Sequence, residues 1–388
     1  MTTTAKGQEI IAALKNCLHS LGRNISLHEP CFIGNEWAYI KECLDTGWVS
    51  SVGKFVDTFE NKVAEYTGVK RAVAVVNGTA ALHIALKLGG VEENDEVLTP
   101  ALTFIATTNA ITYCGATPHF VDAEKRTMGI DPAKLAAHLA DIAVIRDGNC
   151  FNKQTGRRLK AVLPMHTFGH PVDIEPLVEV CRRYRLELVE DAAESLGSFY
   201  KGRHTGNWGK VAALSFNGNK IVTTGGGGAI LTNDEQLGKL AKHITTTAKL
   251  PHKWAFVHDQ VGYNYRLPNI NAALGCAQME QLPGFLANKR ALAAKYEQAF
   301  AGIPGVRFFK EAEFAASNYW LNVILLADDL APERDAILET LHQNGFLARP
   351  AWMLMHKLPM YAHCPRADLS TAEYLERSLI NLPSSVFL

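Results

Sequence analysis

Short apolar runs alternate with segments of helical spacing along most of the chain. Seven runs are rich in apolar or β-branched residues, and they cover residues 72–76, 96–99, 119–121, 161–165, 186–190, 212–216 and 229–232. The alternation predicts an α/β fold with a mostly parallel seven-stranded sheet covered by helices, and functional sites at the carboxyl ends of the strands. The last two runs lie too close together for a crossover helix, so one of them is predicted to be antiparallel.

Helical patterns at the two ends of the chain predict its domain organisation. Residues 7–21 form an amphipathic pattern that predicts a helical extension, and residues 34–44 predict a helix that ends near Gly47. From about residue 282 a long helical stretch precedes two apolar runs, at 306–309 and 320–325, and a helix near 333–343. We therefore expect an extension at residues 1–30, a large α/β domain at 31–281 and a small α+β domain at 282–388.

The composition argues against several classes of protein. The 388 residues include 39 Lys+Arg and 39 Asp+Glu, whereas proteins that bind nucleic acid or a membrane surface usually need a basic excess. No apolar run approaches the roughly 20 residues that cross a bilayer, and the N-terminus lacks the apolar core of a signal peptide. The eight cysteines contain no Cys-x-x-Cys pair, which indicates reduced thiols and no metal site. We expect a cytoplasmic protein.

The most unusual local pattern surrounds Lys220. This residue follows a strand-like run and stands among small and polar residues, before four consecutive glycines at 225–228. A lysine that must lose its proton and attack a carbonyl needs a partly buried, tightly defined site. If Lys220 carries pyridoxal phosphate (PLP), the chain should also supply a phosphate cradle, a carboxylate for the pyridine nitrogen and a group that stacks on the ring.

Candidates for the phosphate cradle lie after the first predicted strand. Gly78 and Thr79 open an Ala/Leu-rich helix, and the N-terminus of a helix offers free N–H groups and a partial positive charge. Ser215, five residues before Lys220, can add a hydroxyl donor. Alternatively, Thr79 is only a helix cap.

Candidates for the ring partners also follow predicted strands. Asp191 can hold a protonated pyridine nitrogen, whose charge makes PLP an effective electron sink, or it can be a helix cap. Glu194 can bond the phenolic oxygen of the cofactor or cap the next segment. Phe104 can stack on the ring or belong to the core.

Together these motifs resemble the DegT-type sugar aminotransferases, a branch of the fold-type-I PLP-dependent transferases. The resemblance covers the chain from about residue 32 and rests on residues 47–51, 77–83, 100–104, 191–194, 215–220, 225–228 and 262–266. It implies that Lys220 forms the Schiff base and acts as general acid and base. It also implies cofactor contacts by Gly78, Thr79, Phe104, Asp191, Glu194, Ser215 and Asn264.

The resemblance further implies a homodimer with shared active sites, in which Asn264 reaches the phosphate bound to the neighbouring subunit. If the resemblance is set aside, residues 262–268 have a sequence typical of a solvated loop followed by a helix cap. The family pattern Ser-Phe-His-x-x-Lys is replaced by a sequence with Asn217 and Asn219, and this segment and residues 317–322 and 349–361 are similar to the bacillosamine/legionaminic-acid branch. That branch aminates C4 of a UDP-2-acetamido-2,6-dideoxy-hexos-4-ulose with L-glutamate as donor.

Two alternatives concern the reaction: the substrate is a GDP- or dTDP-linked keto sugar, or amination takes place at C3. A third alternative is that the protein is a non-catalytic PLP-binding relative of these enzymes. The candidate substrate contacts are Trp48, Ser50, Tyr319, Arg349, His356 and Tyr361. Arg266 and Lys357 are further candidate cations for a pyrophosphate, and Trp352 is a further aromatic candidate. A structural role is equally open for each of them.

Overall fold

The computed structural model describes residues 4–18 and 24–388, and these residues form eleven α-helices and sixteen strands. The helices are α1 (Ala5–Cys17), α2 (Glu36–Thr46), α3 (Lys54–Thr67), α4 (Gly78–Leu88), α5 (Ile105–Tyr113), α6 (Pro132–Ile142), α7 (Ile174–Tyr184), α8 (Glu235–Thr245), α9 (Asn269–Phe300), α10 (Arg334–Gln343) and α11 (Ser370–Ser378). The strands are β1 (Arg71–Val75), β2 (Glu96–Pro100), β3 (Thr117–Val121), β4 (Ala143–Arg146), β5 (Asn149–Asn152), β6 (Arg158–Val162), β7 (Glu187–Asp191), β8 (Phe199–Tyr200), β9 (Arg203–His204), β10 (Val211–Ser215), β11 (Gly228–Thr232), β12 (Val306–Phe308), β13 (Ala315–Ala316), β14 (Asn322–Leu326), β15 (Arg349–Pro350) and β16 (Leu379–Leu382).

All seven predicted strands belong to one sheet, in the order β1-β11-β10-β7-β6-β2-β3. Neighbours from β10 to β3 are parallel, whereas β11 is antiparallel to both β1 and β10. The prediction of one reversed strand is therefore confirmed, and that strand is β11. Because the other strands run in one direction, the segments that follow β1, β2, β7 and β10 meet at one edge of the sheet.

A hairpin extends the large sheet beyond the seven predicted strands. Strands β4 and β5 pair with each other, and β5 pairs with β6. Asp147 and Gly148 connect them with positive φ angles of 47° and 81°. An Asp-Gly turn of this kind is a hairpin signal in the sequence that the apolar pattern alone did not use.

The C-terminal part contains an antiparallel sheet in the order β12-β14-β16-β15. Helix α1 packs on this part, where Ile10 and Leu14 are fully buried in one apolar cluster with Ile324 and Leu341. The predicted extension is thus anchored on the C-terminal core. Residues 19–21 of the helix predicted there lie outside the described residues.

Helix α9 differs from the prediction. The sequence pattern predicts a boundary near residue 282, but α9 runs without interruption from Asn269 to Phe300, with Pro283 inside it. Its first part belongs to the core that contains α3 and β10, and its last part belongs to the core around α1. The predicted boundary between residues 281 and 282 therefore falls within one helix, and the division into domains stays a prediction.

Within residues 4–18 and 24–388, no helix is long and apolar enough to cross a membrane, and no three His, Cys, Asp or Glu side chains group into a metal site. All eight cysteines are unpaired.

Candidate active site

A cavity of about 770 Å³ opens where the parallel strands end. Every residue predicted to contact the cofactor lines it, with the exception of Asn264; these residues are Gly78, Thr79, Phe104, Asp191, Glu194, Ser215 and Lys220. Asp191 and Ser215 are the last residues of β7 and β10, and the others come from the segments after β1, β2, β7 and β10. The sheet topology thus gathers side chains that are far apart in sequence.

Lys220 lies in the connection between β10 and β11, with its side chain 14% exposed. Its Nζ donates to Glu194 Oε1 at 3.3 Å and lies 3.6 Å from the centre of the Trp320 ring. Burial lowers the pKa of Lys220, because desolvation disfavours the ammonium form, while Glu194 and Asp191 oppose the shift. An amine in this setting can give up its proton and act as a nucleophile or base.

Asp191 is buried at the end of β7. Its Oδ2 accepts from Thr107 Oγ1 at 2.7 Å, and its Oδ1 accepts from the Ala193 N–H at 3.1 Å. Burial raises the pKa of Asp191, and these two bonds and the charge of Lys220 oppose the increase. The result is a fixed, buried carboxylate that suits a cationic ring nitrogen.

Glu194 is buried beside Lys220 and accepts from the Phe168 N–H through Oε2 at 2.8 Å. Burial raises the pKa of Glu194 to about 7, although Lys220 and the bond from Phe168 oppose the increase. A carboxyl group with this pKa can donate or accept a hydrogen bond at neutral pH.

Helix α4 begins at the wall of the cavity. Its N-cap is Asn77, whose Oδ1 accepts from the Ala80 N–H at 2.7 Å, so the alternative that Thr79 is the cap is wrong. Thr79 lies in the first turn and lines the cavity. A Cβ added to Gly78 would lie 2.8 Å from Ser215 Cβ, so only glycine lets the first turn approach the end of β10 so closely.

These residues fit PLP. The first turn of α4 leaves amide groups without helical partners, which together with Thr79 and Ser215 suit a phosphate. The buried carboxylate of Asp191 suits the ring nitrogen, and the amine of Lys220 suits the aldehyde. Phe104 is 46% exposed and lines the cavity, so it is not a core residue.

Aromatic side chains close the other side of the cavity. The Trp352 ring meets Phe104 edge-on at a centroid distance of 5.9 Å and tilts against Phe168 at 4.9 Å. Trp320 is held by a bond from its Nε1 to the carbonyl of Asn219 at 2.7 Å. Asn217 and Arg349 also line the cavity.

Several lining residues were missed by the sequence analysis, among them His28, Met165, Trp320 and Asn381. His28, Met165 and Asn381 lie in no local motif and look like ordinary core or strand residues, whereas Trp320 lies in the motif at residues 317–322 without being singled out there. Met165 could have been found from its place after β6, one of the strands that end at the cavity.

Three predicted substrate contacts are placed away from the cavity. Tyr319 is 5% exposed, its hydroxyl accepts from the Glu311 N–H at 3.2 Å, and its backbone is left-handed, with φ 46°. The next residue, Trp320, lines the cavity in its place. The hydroxyl of Tyr361 donates to Asn109 Oδ1 at 2.6 Å, and His356 lies 3.9 Å from Glu373.

Other candidates lie on the surface. Trp48 and Ser50 are exposed on the loop after α2, where their carbonyl oxygens accept from Asn269. Asn264 is exposed and accepts from the Arg266 guanidinium at 2.9 Å. Lys357 pairs with Glu376.

Comparisons with known proteins agree with this geometry. A model of the DegT/DnrJ/EryC1/StrS aminotransferase family matches residues 30–388. The GDP-perosamine synthase of Caulobacter vibrioides is 40% identical over 362 residues and that of Escherichia coli O157:H7 is 38% identical over 360, with 93% of each chain covered in both cases. The aminotransferase TlmJ of Streptoalloteichus hindustanus superposes with a TM-score of 0.84 at 28% identity, covering 94% of each chain.

Proposed function

We propose a specific reaction for this chain, which belongs to the DegT/DnrJ/EryC1/StrS aminotransferase family and takes PLP as its cofactor. In this reaction, the amino group of L-glutamate is transferred to C4 of a nucleotide-linked 4-keto-6-deoxy sugar. The observation that carries the proposal is the convergence of Lys220, Glu194, Asp191 and the first turn of α4 on one cavity.

Different side chains would bind different groups of the cofactor. PLP, when bound, supplies an electron-withdrawing ring that stabilises negative charge on the carbon next to the transferred nitrogen. Asp191 would hold the ring nitrogen and keep it protonated, and Glu194 would face the phenolic oxygen. Gly78, Thr79 and Ser215 would hold the phosphate.

Lys220 would hold the cofactor and then move protons. In the donor half-reaction its Nζ removes the proton from the α-carbon of L-glutamate. In the sugar half-reaction the same atom delivers a proton to C4. Its lowered pKa supports this role, because a neutral amine is needed for the first of these transfers.

UDP-2-acetamido-2,6-dideoxy-hexos-4-ulose is our first candidate for the acceptor. Asn217, Asn219, Arg349 and Trp352 belong to the segments that resemble the bacillosamine/legionaminic-acid branch, and all four line the cavity. A GDP-linked 4-keto-6-deoxy sugar is the second candidate, because the two relatives described above are named GDP-perosamine synthases.

We infer a homodimer with shared sites from exposed apolar side chains. Ile33 is 79% and Trp37 78% exposed near α2, and Trp254 is 74% and Phe256 78% exposed in the segment that leads to Asn264. Large exposed apolar groups in neighbouring positions mark interaction surfaces. Such an interface would bring Asn264 to the partner's cavity. We expect the dimer to act in the cytoplasm.

A panel of acceptors tests this reaction. The enzyme is first converted to the amine form of the cofactor with L-glutamate, separated from 2-oxoglutarate, and mixed with UDP-, GDP- or dTDP-linked keto sugars. We expect the UDP-2-acetamido sugar to restore the PLP absorbance fastest. If 2-oxoglutarate restores it but none of the sugars does, the proposed acceptor class is wrong; if L-glutamate causes no conversion, the non-catalytic alternative holds.

A further inference from the structure

Polar atoms without partners border the cavity on its C-terminal side. His28 is 9% exposed, and within the described part of the chain neither of its ring nitrogens has a hydrogen-bond partner. The same holds for Oδ1 of Asn381, which is 2% exposed. Both residues line the cavity. Buried polar atoms without partners are costly and uncommon, and here they occur in residues that line a cavity, so a ligand in the cavity that completes them is the natural explanation.

The two residues are held on one framework. The Ser384 N–H donates to the Leu27 carbonyl at 2.7 Å, and the Glu29 N–H donates to Ser385 Oγ at 2.8 Å, so the segment around His28 runs beside the chain that follows β16. Asn381 lies on β16 itself. The positions of His28 and Asn381 are therefore fixed by backbone contacts before any ligand arrives.

The available atoms favour a neutral ligand group. The Asn381 Nδ2 donates to the Pro350 carbonyl at 3.3 Å, which sets the direction of the amide and leaves Oδ1 as an acceptor. Burial, assisted by the charges of Lys289 and Lys220, holds the pKa of His28 well below its ordinary value, so the ring is neutral and has one donor and one acceptor. A carboxylate only accepts hydrogen bonds and cannot satisfy Asn381 Oδ1, whereas a hydroxyl or a secondary amide both donates and accepts.

We propose that His28 and Asn381 form a subsite that binds a hydroxyl or acetamido substituent of the hexose ring in the nucleotide sugar. This inference rests on the proposed function and deepens it. The subsite selects the sugar by its ring substituent and is distinct in chemistry from a site for the carboxylates of the amino donor.

The chain offers a matched control for each residue. Among the described residues, His170 is 2% exposed and has no partner for either ring nitrogen, and Asn322 is fully buried and has no partner for its Oδ1, but neither lines the cavity. His28→Phe can therefore be compared with His170→Phe, and Asn381→Leu with Asn322→Leu. Each pair removes equivalent buried polar atoms inside and outside the cavity.

The test is calorimetric titration of the PLP-loaded variants with two 4-amino sugars, a UDP-linked one that carries a 2-acetamido group and a GDP-linked one that carries a 2-hydroxyl. UDP and GDP alone measure the nucleotide contribution. We expect His28→Phe and Asn381→Leu to weaken binding of the preferred amino sugar about tenfold or more, which is the usual effect of removing such hydrogen bonds. The affinity of every variant for free UDP and GDP should stay near the wild-type value. The two control variants should also bind both amino sugars with near wild-type affinity.

The amino sugar that loses affinity in the His28 and Asn381 variants identifies the substituent, either the 2-acetamido group or the 2-hydroxyl group. Wild-type affinity in the His28 and Asn381 variants would overturn the subsite, and so would an equal loss in the His170 and Asn322 controls. The proposed function fails separately, and the subsite with it, if the wild-type protein binds neither amino sugar more tightly than the matching nucleotide.

Discussion

Lys220 and Glu194 form a buried pair in which each residue compensates for the desolvation of the other. Burial disfavours the charge on both, and the contact of 3.3 Å between Nζ and Oε1 opposes both shifts. The pKa of Glu194 is raised to about 7, and that of Lys220 is lowered. The burial of these two residues beyond β10 and β7 therefore brings the pKa of Glu194 to about 7 and makes the amine of Lys220 easier to deprotonate.

A pH dependence of stability follows for the cofactor-free protein. Because the pKa of Glu194 rises from 4.5 to about 7 on folding, the folded protein holds a proton there that the unfolded chain releases. This contribution to stability is fully present below pH 4.5 and is lost as the pH rises through about 7. Glu194→Gln removes it, so the stability of the variant relative to wild type should increase from pH 5 to pH 8, by at most roughly 3 kcal/mol.

Urea unfolding of both proteins across this pH range measures the difference. A relative stability of Glu194→Gln that is constant or decreases with pH would contradict the raised pKa of Glu194.

The sequence revealed the residues with a strong local motif and missed those without one. Lys220 stands out through its small neighbours, and Asp191 and Glu194 through their place after a strand. The sequence predicts a substrate contact by Tyr319, but its neighbour Trp320 lines the cavity instead. The backbone at Tyr319 is left-handed, and two adjacent aromatic residues in a sequence do not reveal that conformation. His28 and Asn381 meet the cavity only through tertiary packing, which no short motif records.

At the level of elements, apolar runs bounded by turn residues were enough to predict the large sheet. All seven runs became neighbouring strands, and the short β10–β11 connection correctly indicated the reversed strand. The pattern failed at α9, because the change of pattern near residue 282 predicts a boundary there, whereas packing on both cores keeps the helix continuous. Long-range burial, which the local pattern does not contain, decided the outcome.

The close packing of α4 against β10 allows us to predict the effect of a substitution at Gly78. Gly78→Ala would place a methyl group 2.8 Å from Ser215 Cβ and displace the first turn of α4. We expect PLP affinity to fall at least about tenfold, because a lost charged hydrogen bond to the phosphate is worth about 1.5–3 kcal/mol. Titration of the cofactor-free protein with PLP, followed by fluorescence, measures this.

The matched control is Gly284→Ala in α9, where an added Cβ has no atom of the described residues within 4 Å. That variant should bind PLP normally and gain up to about 1 kcal/mol of stability. Equal PLP affinity in the two variants would show that the Gly78–Ser215 contact does not shape the phosphate site.

At the level of the whole molecule, the cavity within a single chain lacks one of the predicted cofactor contacts, Asn264. Asn264 is exposed and outside the cavity, while apolar residues near it and near α2 face solvent. A two-fold dimer would cover these surfaces and bring the same residue of each subunit to the other's cavity. The resemblance to the family implies such a dimer with shared sites, whereas the structure of a single chain contains no partner subunit that could be examined for this contact.

Mixed dimers test the shared site. Lys220→Ala and Asn264→Ala subunits are each expected to be poorly active alone, since each homodimer carries a defect in both sites. Random exchange in an equal mixture gives half heterodimers, each with one intact site, so activity should recover to about a quarter of the wild-type value. Activity that stays at the sum of the two homodimers would contradict a contribution of Asn264 across the interface.

The covalent attachment of the cofactor tests the central claim most directly. Wild-type protein and Lys220→Ala are incubated with PLP, reduced with borohydride, digested and analysed by mass spectrometry, and circular dichroism checks that both are folded. We predict a PLP adduct on Lys220 in the wild type and no adduct in the folded variant. An adduct at another lysine in the wild-type protein, such as Lys289, which is also buried and has a strongly lowered pKa, would contradict the role of Lys220.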